Sequence, residues 1–209
     1  YFICNELRTL LYVINSGCIP VHVWSARRGT LNQPDWTILD LDPKGAPFVQ
    51  VVSVAQHIHR LLAELQLPHF VKTSGQDGLH VLVPLGGRLT HKEARTFAEV
   101  LARVVVAEQQ DLATVSRPLN ARGGKVYIDF LQNGFGKTIA APFSVRPRRG
   151  APVSTPLAWR EVSRRLEVTR FTIRTVPARF RRRADPMHAL LTTDVDVHAA
   201  VTRLMKRLG

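Results

Sequence analysis

Residues 36–42, Trp-Thr-Ile-Leu-Asp-Leu-Asp, constrain this chain more than any other stretch. A run this rich in apolar residues reads as a strand buried on at least one face, yet it ends on two carboxylates. Strand periodicity puts Asp40 and Asp42 on one face, ~6.5–7 Å apart along the chain, and turns Leu39 and Leu41 the other way. Two like charges on so apolar a strand raise each other's pKa and cost stability unless a cation offsets them. A lone carboxylate interrupts a second apolar strand at Asp129, within Lys125-Val-Tyr-Ile-Asp-Phe-Leu131. Three carboxylates with no cysteine nearby favour Mg²⁺ or Mn²⁺ over zinc. Such a set can hold two ions about 3.5–4 Å apart, the clamp used for in-line phosphoryl or nucleotidyl transfer. The competing reading is structural: acidic residues commonly finish strands, and Asp42 would then only cap the turn before Pro43.

The rest of the chain alternates helical and strand patterns without a repeat, which predicts one α/β or α+β domain over residues 1–209. Helices are expected over 6–15, 49–65, 90–109, 157–166 and 194–208. The third of these opens on a capping box, Thr90-His-Lys-Glu93. Strands are expected over 19–24, 36–41, 70–73, 79–85, 125–131 and 171–176, with 70–73 and 79–85 joined as a hairpin through Ser74-Gly-Gln-Asp-Gly78. The longest apolar stretch, 48–58, is broken by Gln50, Ser53, Gln56 and His57, so a membrane span is not expected. Two cysteines, Cys4 and Cys18, with no CxxC pair supply neither a zinc knuckle nor a disulfide framework, which suits a reducing, cytoplasmic setting. Tyr1 is not an initiator and no targeting signal follows it, so the chain reads as an excised or truncated piece.

That hairpin turn is a candidate anion site. Gly75 and Gly78 let backbone amides face outward, with the Ser74 hydroxyl and the His80 imidazole at its two ends, although Asp77 opposes an anion. Gly136-Lys137-Thr138 ends like a phosphate-binding loop, but Leu131 stands where the first glycine is needed, so a P-loop is rejected. His57 and His59, two apart on a helix, face different directions and make no joint metal site. Charge points to a polyanion. Residues 1–136 carry 13 basic and 11 acidic side chains, whereas 137–209 carry 16 and 5. Of all the basic residues, 23 are arginine, gathered in Arg146-Pro-Arg148-Arg149 and Arg179-Phe-Arg181-Arg182-Arg183. The planar guanidinium fork suits phosphate, so Arg148, Arg149, Arg181, Arg182 and Arg183 are candidate DNA contacts; a merely solvated basic surface is the alternative.

Taken in order, Asp40-Leu-Asp42, Ser74 to His80 and Ile128-Asp129 resemble the three motifs of archaeo-eukaryotic primases. Longer strings narrow the resemblance: Cys4-Asn-Glu-Leu-Arg-Thr-Leu-Leu11, Leu39-Asp-Leu-Asp-Pro43, Val71-Lys-Thr-Ser-Gly75, Gly78-Leu-His-Val81 and Ala151-Pro-Val-Ser-Thr-Pro-Leu157 are similar to the polymerase domain of bacterial ligase D, of the non-homologous end-joining system. The resemblance runs from about residue 3 to about residue 180.

It implies the primase-polymerase fold, with central mixed or antiparallel sheets flanked by helices. It further implies template-dependent addition of nucleotides, often ribonucleotides, at DNA ends, with two Mn²⁺ or Mg²⁺ ions. By matching position, Asp40, Asp42 and Asp129 would be the catalytic metal ligands. His22, Ser74, His80 and Arg146 would contact the incoming NTP or dNTP, joined by Lys137 and Arg122. DNA ends, Ku and an attached or separate ligase domain are the expected partners, in the bacterial cytoplasm beside the nucleoid. Two departures stand out. The family commonly carries a basic residue where this chain has Asp77, which implies weaker triphosphate binding. Its N-terminal stretch, which holds the 5′-phosphate of the downstream strand, has no counterpart before Tyr1, so weaker end recognition is expected. A non-catalytic end-bridging module and a stand-alone primase are the rival readings.

Overall fold

The computed structural model describes residues 2–208. Among the described residues eight strands occur: β1 (His22–Trp24), β2 (Trp36–Asp42), β3 (Phe70–Thr73), β4 (Leu79–Pro84), β5 (Ala113–Thr114), β6 (Val126–Asp129), β7 (Thr138–Ala140) and β8 (Pro156–Leu157). Six of them form the central sheet, in the order β5-β6-β2-β4-β3-β8, with every pairing antiparallel except β5 with β6. β1 and β7 make a separate two-stranded ribbon. The helices are α1 (Leu7–Asn15), α2 (Phe48–Glu64), α3 (His91–Glu108), α4 (Val176–Phe180) and α5 (Val197–Leu208). This is the mixed α/β architecture that the alternating pattern predicts.

Alternate residues of each strand divide between two faces of the sheet. Leu39, Leu41, Val71, Leu79, Val81, Val83, Val126 and Ile128 fall on one face, in a continuous buried cluster with Val51, Ile58 and Leu62 of α2, Phe97, Leu101 and Val105 of α3, and Val197, Ala200 and Leu204 of α5. The opposite face is divided. At one end Trp36, Ile38 and Leu82 are covered by Ile139 of β7 and by Met187 and Leu190. At the other end, where β2 finishes, it becomes polar.

Local chemistry explains where elements start and stop. The Thr90–Glu93 capping box forms as predicted: the Glu93 N–H donates to Thr90 Oγ1, and Glu93 Oε2 accepts from the Thr90 N–H. α5 begins three residues later than predicted. Asp196, not Asp194, accepts from a first-turn amide, that of Ala199, while Asp194 is paired with Arg88. β1 begins at His22 rather than Ile19; Pro20, which has no N–H to give a ladder, lies in the excluded part.

Two predicted elements are replaced. The helix expected over 157–166 is a single 3₁₀ turn, Trp159–Glu161. The Glu161 carboxylate folds back to accept from the Ala158 N–H and also takes Arg179 and Arg183, closing the turn. The strand expected over 171–176 is also absent, apart from one bridge from Thr172 to Pro152. The Thr175 hydroxyl donates to the Arg170 carbonyl and accepts from the Thr172 N–H, coiling the segment into α4.

Candidate active site

The register of the central sheet assembles a transverse row of polar side chains. Asp129 of β6 lies opposite Asp40 of β2, Asp40 opposite His80 of β4, and His80 opposite Lys72 of β3. Residues directly opposed in a sheet share a face and sit with Cβ atoms about 4.5–5.5 Å apart, so these four stand side by side on the face away from the main core. Asp42 and Tyr127 form the next row.

Each carboxylate is held differently. Asp40 makes one polar contact, with His80 Nε2 at 3.4 Å. Burial pushes its carboxyl up to about 7, and the charge of Asp129 adds to the rise. Asp42 Oδ2 accepts from Arg122 Nη1 at 2.9 Å. Arg122 is itself buried, donating also to the Arg117 carbonyl and lying 4.2 Å from the Tyr127 ring centroid. Asp129 accepts from the Leu131 N–H at 2.8 Å, from Gln132 Nε2 at 3.1 Å and from the Tyr127 hydroxyl at 3.3 Å. That phenol is pushed up to about 12, by burial first and then by Asp129.

Among the described residues, no three His, Cys, Asp or Glu side chains are drawn together as a group that could hold a metal ion. Asp42 and Asp129 are each tied to protein donors instead. The donor set nevertheless fits a hard divalent cation: three carboxylates, no sulfur, and a partly buried Asp40 whose ionised form is opposed by its acidic neighbours.

The Ser74–Gly78 turn packs against the same strand ends. A Cβ on Gly78 would sit 2.2 Å from the Leu41 carbonyl oxygen, so no other residue fits this approach. Gly75 has φ +78, and its missing side chain makes room for the Arg146 stem and the Ser154 amide. The turn's amides do not all face outward. Those of Gln76 and Gly78 donate to Ser74 Oγ at 3.1 Å, leaving the Ser74 hydroxyl hydrogen to serve an external acceptor. With its amide oriented to satisfy both neighbours, Gln76 Oε1 accepts from Arg146 Nη2 at 2.7 Å and from Arg148 Nε at 3.2 Å. Burial first, and then the neighbouring charges of Lys72 and Arg146, hold His80 well below the ordinary histidine range. His22 is lowered as well, by burial and then by Arg146 and Lys72.

The structure therefore brings together Asp40, Asp42, Asp129, Ser74, His80, His22, Arg146, Arg122 and Arg148. Lys137 stands apart: it is exposed, its backbone N–H closes a turn onto the Gly134 carbonyl, and no hydrogen bond or ion pair joins it to the cluster. Arg149 is exposed in the loop after Arg148. Arg182 and Arg183, with Arg170 and Arg179, line a concavity of about 370 Å³ beside α4, where Arg181 is the C-cap. An apolar hollow lined by Phe143, Val145, Ile173 and Phe180 adjoins the other side of α4.

Three residues central to this arrangement carry no sequence signal of their own. Lys72 is fully buried, with Nζ 2.7 Å from His80 Nδ1 and 2.6 Å from Ser154 Oγ, and burial pulls its ammonium down to about 7. Ser154 is the second. The third, Asn133, mimics a peptide unit: its Oδ1 accepts from the Ile38 N–H and its Nδ2 donates to the Ile38 carbonyl, both at 2.8 Å. It extends the sheet beside β2 where β6 has ended. The GxGKT-like segment rejected as a phosphate loop thus contributes structurally, through the Asn133 that precedes it.

A central sheet bearing three acids on two neighbouring strands, beside a Ser-Gly turn braced on an arginine, defines a polymerase-class domain of primase type. Comparisons with known proteins agree. The family described as "LigD, primase-polymerase domain" matches residues 1–187. The chain is 35% identical over 207 residues to the multifunctional non-homologous end joining protein LigD of Pseudomonas aeruginosa, covering 97% of this chain and 24% of that protein. It is 31% identical over 188 residues to the bifunctional non-homologous end joining protein LigD of Bacillus subtilis, covering 89% and 31%. Among solved structures, the polymerase domain of Mycobacterium tuberculosis ligase D in complex with DNA superposes with a TM-score of 0.84 at 28% identity, over 93% of this chain and 71% of that one. The chain belongs to the LigD primase-polymerase domain family, whose members are nucleotidyltransferases that use a divalent metal. It spans about a quarter to a third of the length of the curated relatives it matches.

Proposed function

We propose that residues 1–209 act as one catalytic domain that adds nucleotides, templated by the opposite strand, to primer 3′ ends at DNA breaks in bacterial non-homologous end joining. The observation that carries this reading is the row Asp129–Asp40–His80 lying beside the Arg146-braced turn. Asp40, Asp42 and Asp129 would hold two Mn²⁺ or Mg²⁺ ions. Bound there, such ions supply Lewis acidity toward the attacking 3′-hydroxyl and the triphosphate.

The protein's own groups position the reactants. Arg146 presents a guanidinium at the turn, Ser74 a hydroxyl whose oxygen already accepts two amides, and His80 and His22 neutral imidazoles. All four suit triphosphate oxygens, and the cationic Arg146 favours the charge that develops on departing pyrophosphate. Arg122 holds the Asp42 carboxylate in an ion pair, and Lys137 would reach the nucleotide only from its exposed turn. The DNA would run along Arg148, Arg149 and the α4 concavity with Arg181, Arg182 and Arg183. The adjoining hollow, with Phe143 41% exposed, offers an apolar surface for bases. Ku and a ligase domain, attached or separate, would be the partners, and the work would be done beside the bacterial nucleoid.

Primer extension on a template with a recessed or overhanging 3′ end, with Mn²⁺ and ribonucleotides, tests this reading. Extension lost in Asp40→Ala and Asp129→Ala is the expected result. Undiminished extension in either variant overturns the assigned roles.

A further inference from the structure

The turn Ala141-Pro-Phe-Ser144 is closed by the Ser144 N–H donating to the Ala141 carbonyl at 3.1 Å, with Phe143 at its third position and φ +65. That is left-handed backbone, where glycine is favoured and a bulky side chain is strained. Among the described residues Phe143 is the one aromatic with a positive φ. The backbone needs this turn. The Phe143 N–H donates to the Ser154 carbonyl at 2.7 Å and the Ser154 N–H to the Ser144 carbonyl at 2.9 Å, while Ser144 Oγ accepts from the N–H of Val21, the neighbour of His22, at 2.9 Å. A glycine at 143 would serve all of that. The ring is what the fold does not need: it is exposed, and it meets Phe180 edge-on at 4.8 Å and 85°. Strain borne where an unstrained residue would do is the mark of a functional position.

The ring borders a hollow of about 240 Å³ whose seven lining side chains, Val145, Val153, Ile173, Val176 and Phe180 among them, carry no hydrogen-bonding group. It is smaller than the ~300–1,000 Å³ of sites for drug-sized ligands and suits one flat ring system. Its rim is cationic. Arg146, Arg174 and Arg181 directly follow Val145, Ile173 and Phe180, and Arg174 and Arg181 are exposed. Across α4, Arg170, Arg179, Arg182 and Arg183 line the larger concavity. Glu167 and Glu161 pair with three of these, and Arg182 has no ion pair among the described residues. A helix with its side chains is ~10–12 Å across, so a few nucleotides of one strand span both depressions. An occupant with flat apolar rings and a row of negative charges is a nucleic-acid strand. It has to be unpaired, because the bases of a duplex are stacked and present only their edges.

We infer that Phe143 is a stacking platform for an unpaired base of the single-stranded DNA beside a break, with the flanking phosphates held by the arginines around α4. The domain then distinguishes a tailed end from a blunt one. This rests on reading the α4 surface as the path of the DNA.

Fluorescence anisotropy with a duplex carrying a short single-stranded tail, and with the same duplex made blunt, tests the inference; 2-aminopurine in the tail reports stacking through loss of its emission. The protein is expected to bind the tailed duplex about tenfold more tightly and to quench the 2-aminopurine. Phe143→Gly suits the backbone and removes the ring. It is expected to lose most of the preference and the quenching, with affinity for the blunt duplex changed less than about twofold, whereas Phe143→Trp keeps both. Undiminished preference and quenching in Phe143→Gly, or an equal loss on both duplexes, overturns the inference. Phe143→Gly should also melt at a higher temperature than Phe143→Ala, since both lack the ring and only alanine is strained there; the reverse order overturns the premise of strain. A dimer in sedimentation that Phe143→Gly dissolves gives the hollow to a second copy of the chain and overturns the inference too. Wild-type protein that binds both duplexes alike without quenching keeps the DNA path and loses the platform. If Arg174→Ala with Arg182→Ala binds both duplexes as tightly as the wild type, the path itself falls.

Discussion

The two faces of the central sheet are made from the same strands by neighbouring residues, yet they obey different rules. On one, Leu39, Leu41, Leu79 and Val81 are packed under α2, α3 and α5, and each is at most 1% exposed. On the other, Asp40, Asp42 and His80 alternate with them and carry charge and hydrogen-bonding capacity that folding alone does not require. The apolar face provides the stability that lets the polar face hold mutually repelling carboxylates. A single residue of register separates the two roles, since a slip by one would bury the acids and expose the leucines.

Variants can break that comparison, and the largest effect is expected on the polar face. Asp129→Asn should lower nucleotide incorporation on the order of 10³-fold while leaving the thermal midpoint nearly unchanged, because it removes repulsion rather than packing. Loss of fold in step with activity would show that the faces are not separable. Leu101→Ala, beneath the other face, should do the reverse. It is expected to cost about 3 kcal/mol in urea unfolding, with activity per folded molecule preserved.

A smaller effect should come from His69, which contacts His59 of α2 and Trp159. Burial lowers its pKa to about 4, from 6.5. As pH falls below 6.5 the unfolded chain takes up this proton before the folded one does. Stability should therefore decline between pH 6.5 and 4, by about 2–3 kcal/mol from this group. His69→Gln should flatten that part of the stability profile, and an unchanged slope would remove the buried neutral histidine from the account. The smallest effect is expected at the protein's edge: Arg182→Ala should reduce the slope of log DNA affinity against log salt by roughly one, without a change in nucleotide KM.

What could be read from the sequence depended on whether a residue's role is local. Asp40 and Asp42 were legible because a two-residue period fixes their common face, and α3 was legible because its capping box lies within four residues. Lys72 was not. Between Val71 and Thr73 it reads as an ordinary solvent-facing position, and only the pairing of β3 with β4 and the approach of Ser154 put it inside. Asn133 was hidden for the same reason, since its partner, Ile38, lies 95 residues away. The strands β5, β7 and β8 span two or three residues, too few to show a period. The 157–166 segment misled because its helical spacing lost to one glutamate, Glu161, which gathers Arg179 and Arg183 from 18 and 22 residues downstream. Arginines counted by composition as a DNA surface thus partly serve to close a turn.

The approach of Gly78 to the Leu41 carbonyl has a mechanical consequence. Backbone touches backbone there, with no side chain between to compress or rotate, so the turn that faces the phosphates and the strand that bears the carboxylates behave as one rigid gauge. The spacing between a nucleotide's phosphate tail and the acids is then set during folding, before any nucleotide arrives. Even a methyl group at residue 78 would force that gauge open and lengthen the reach of every later step.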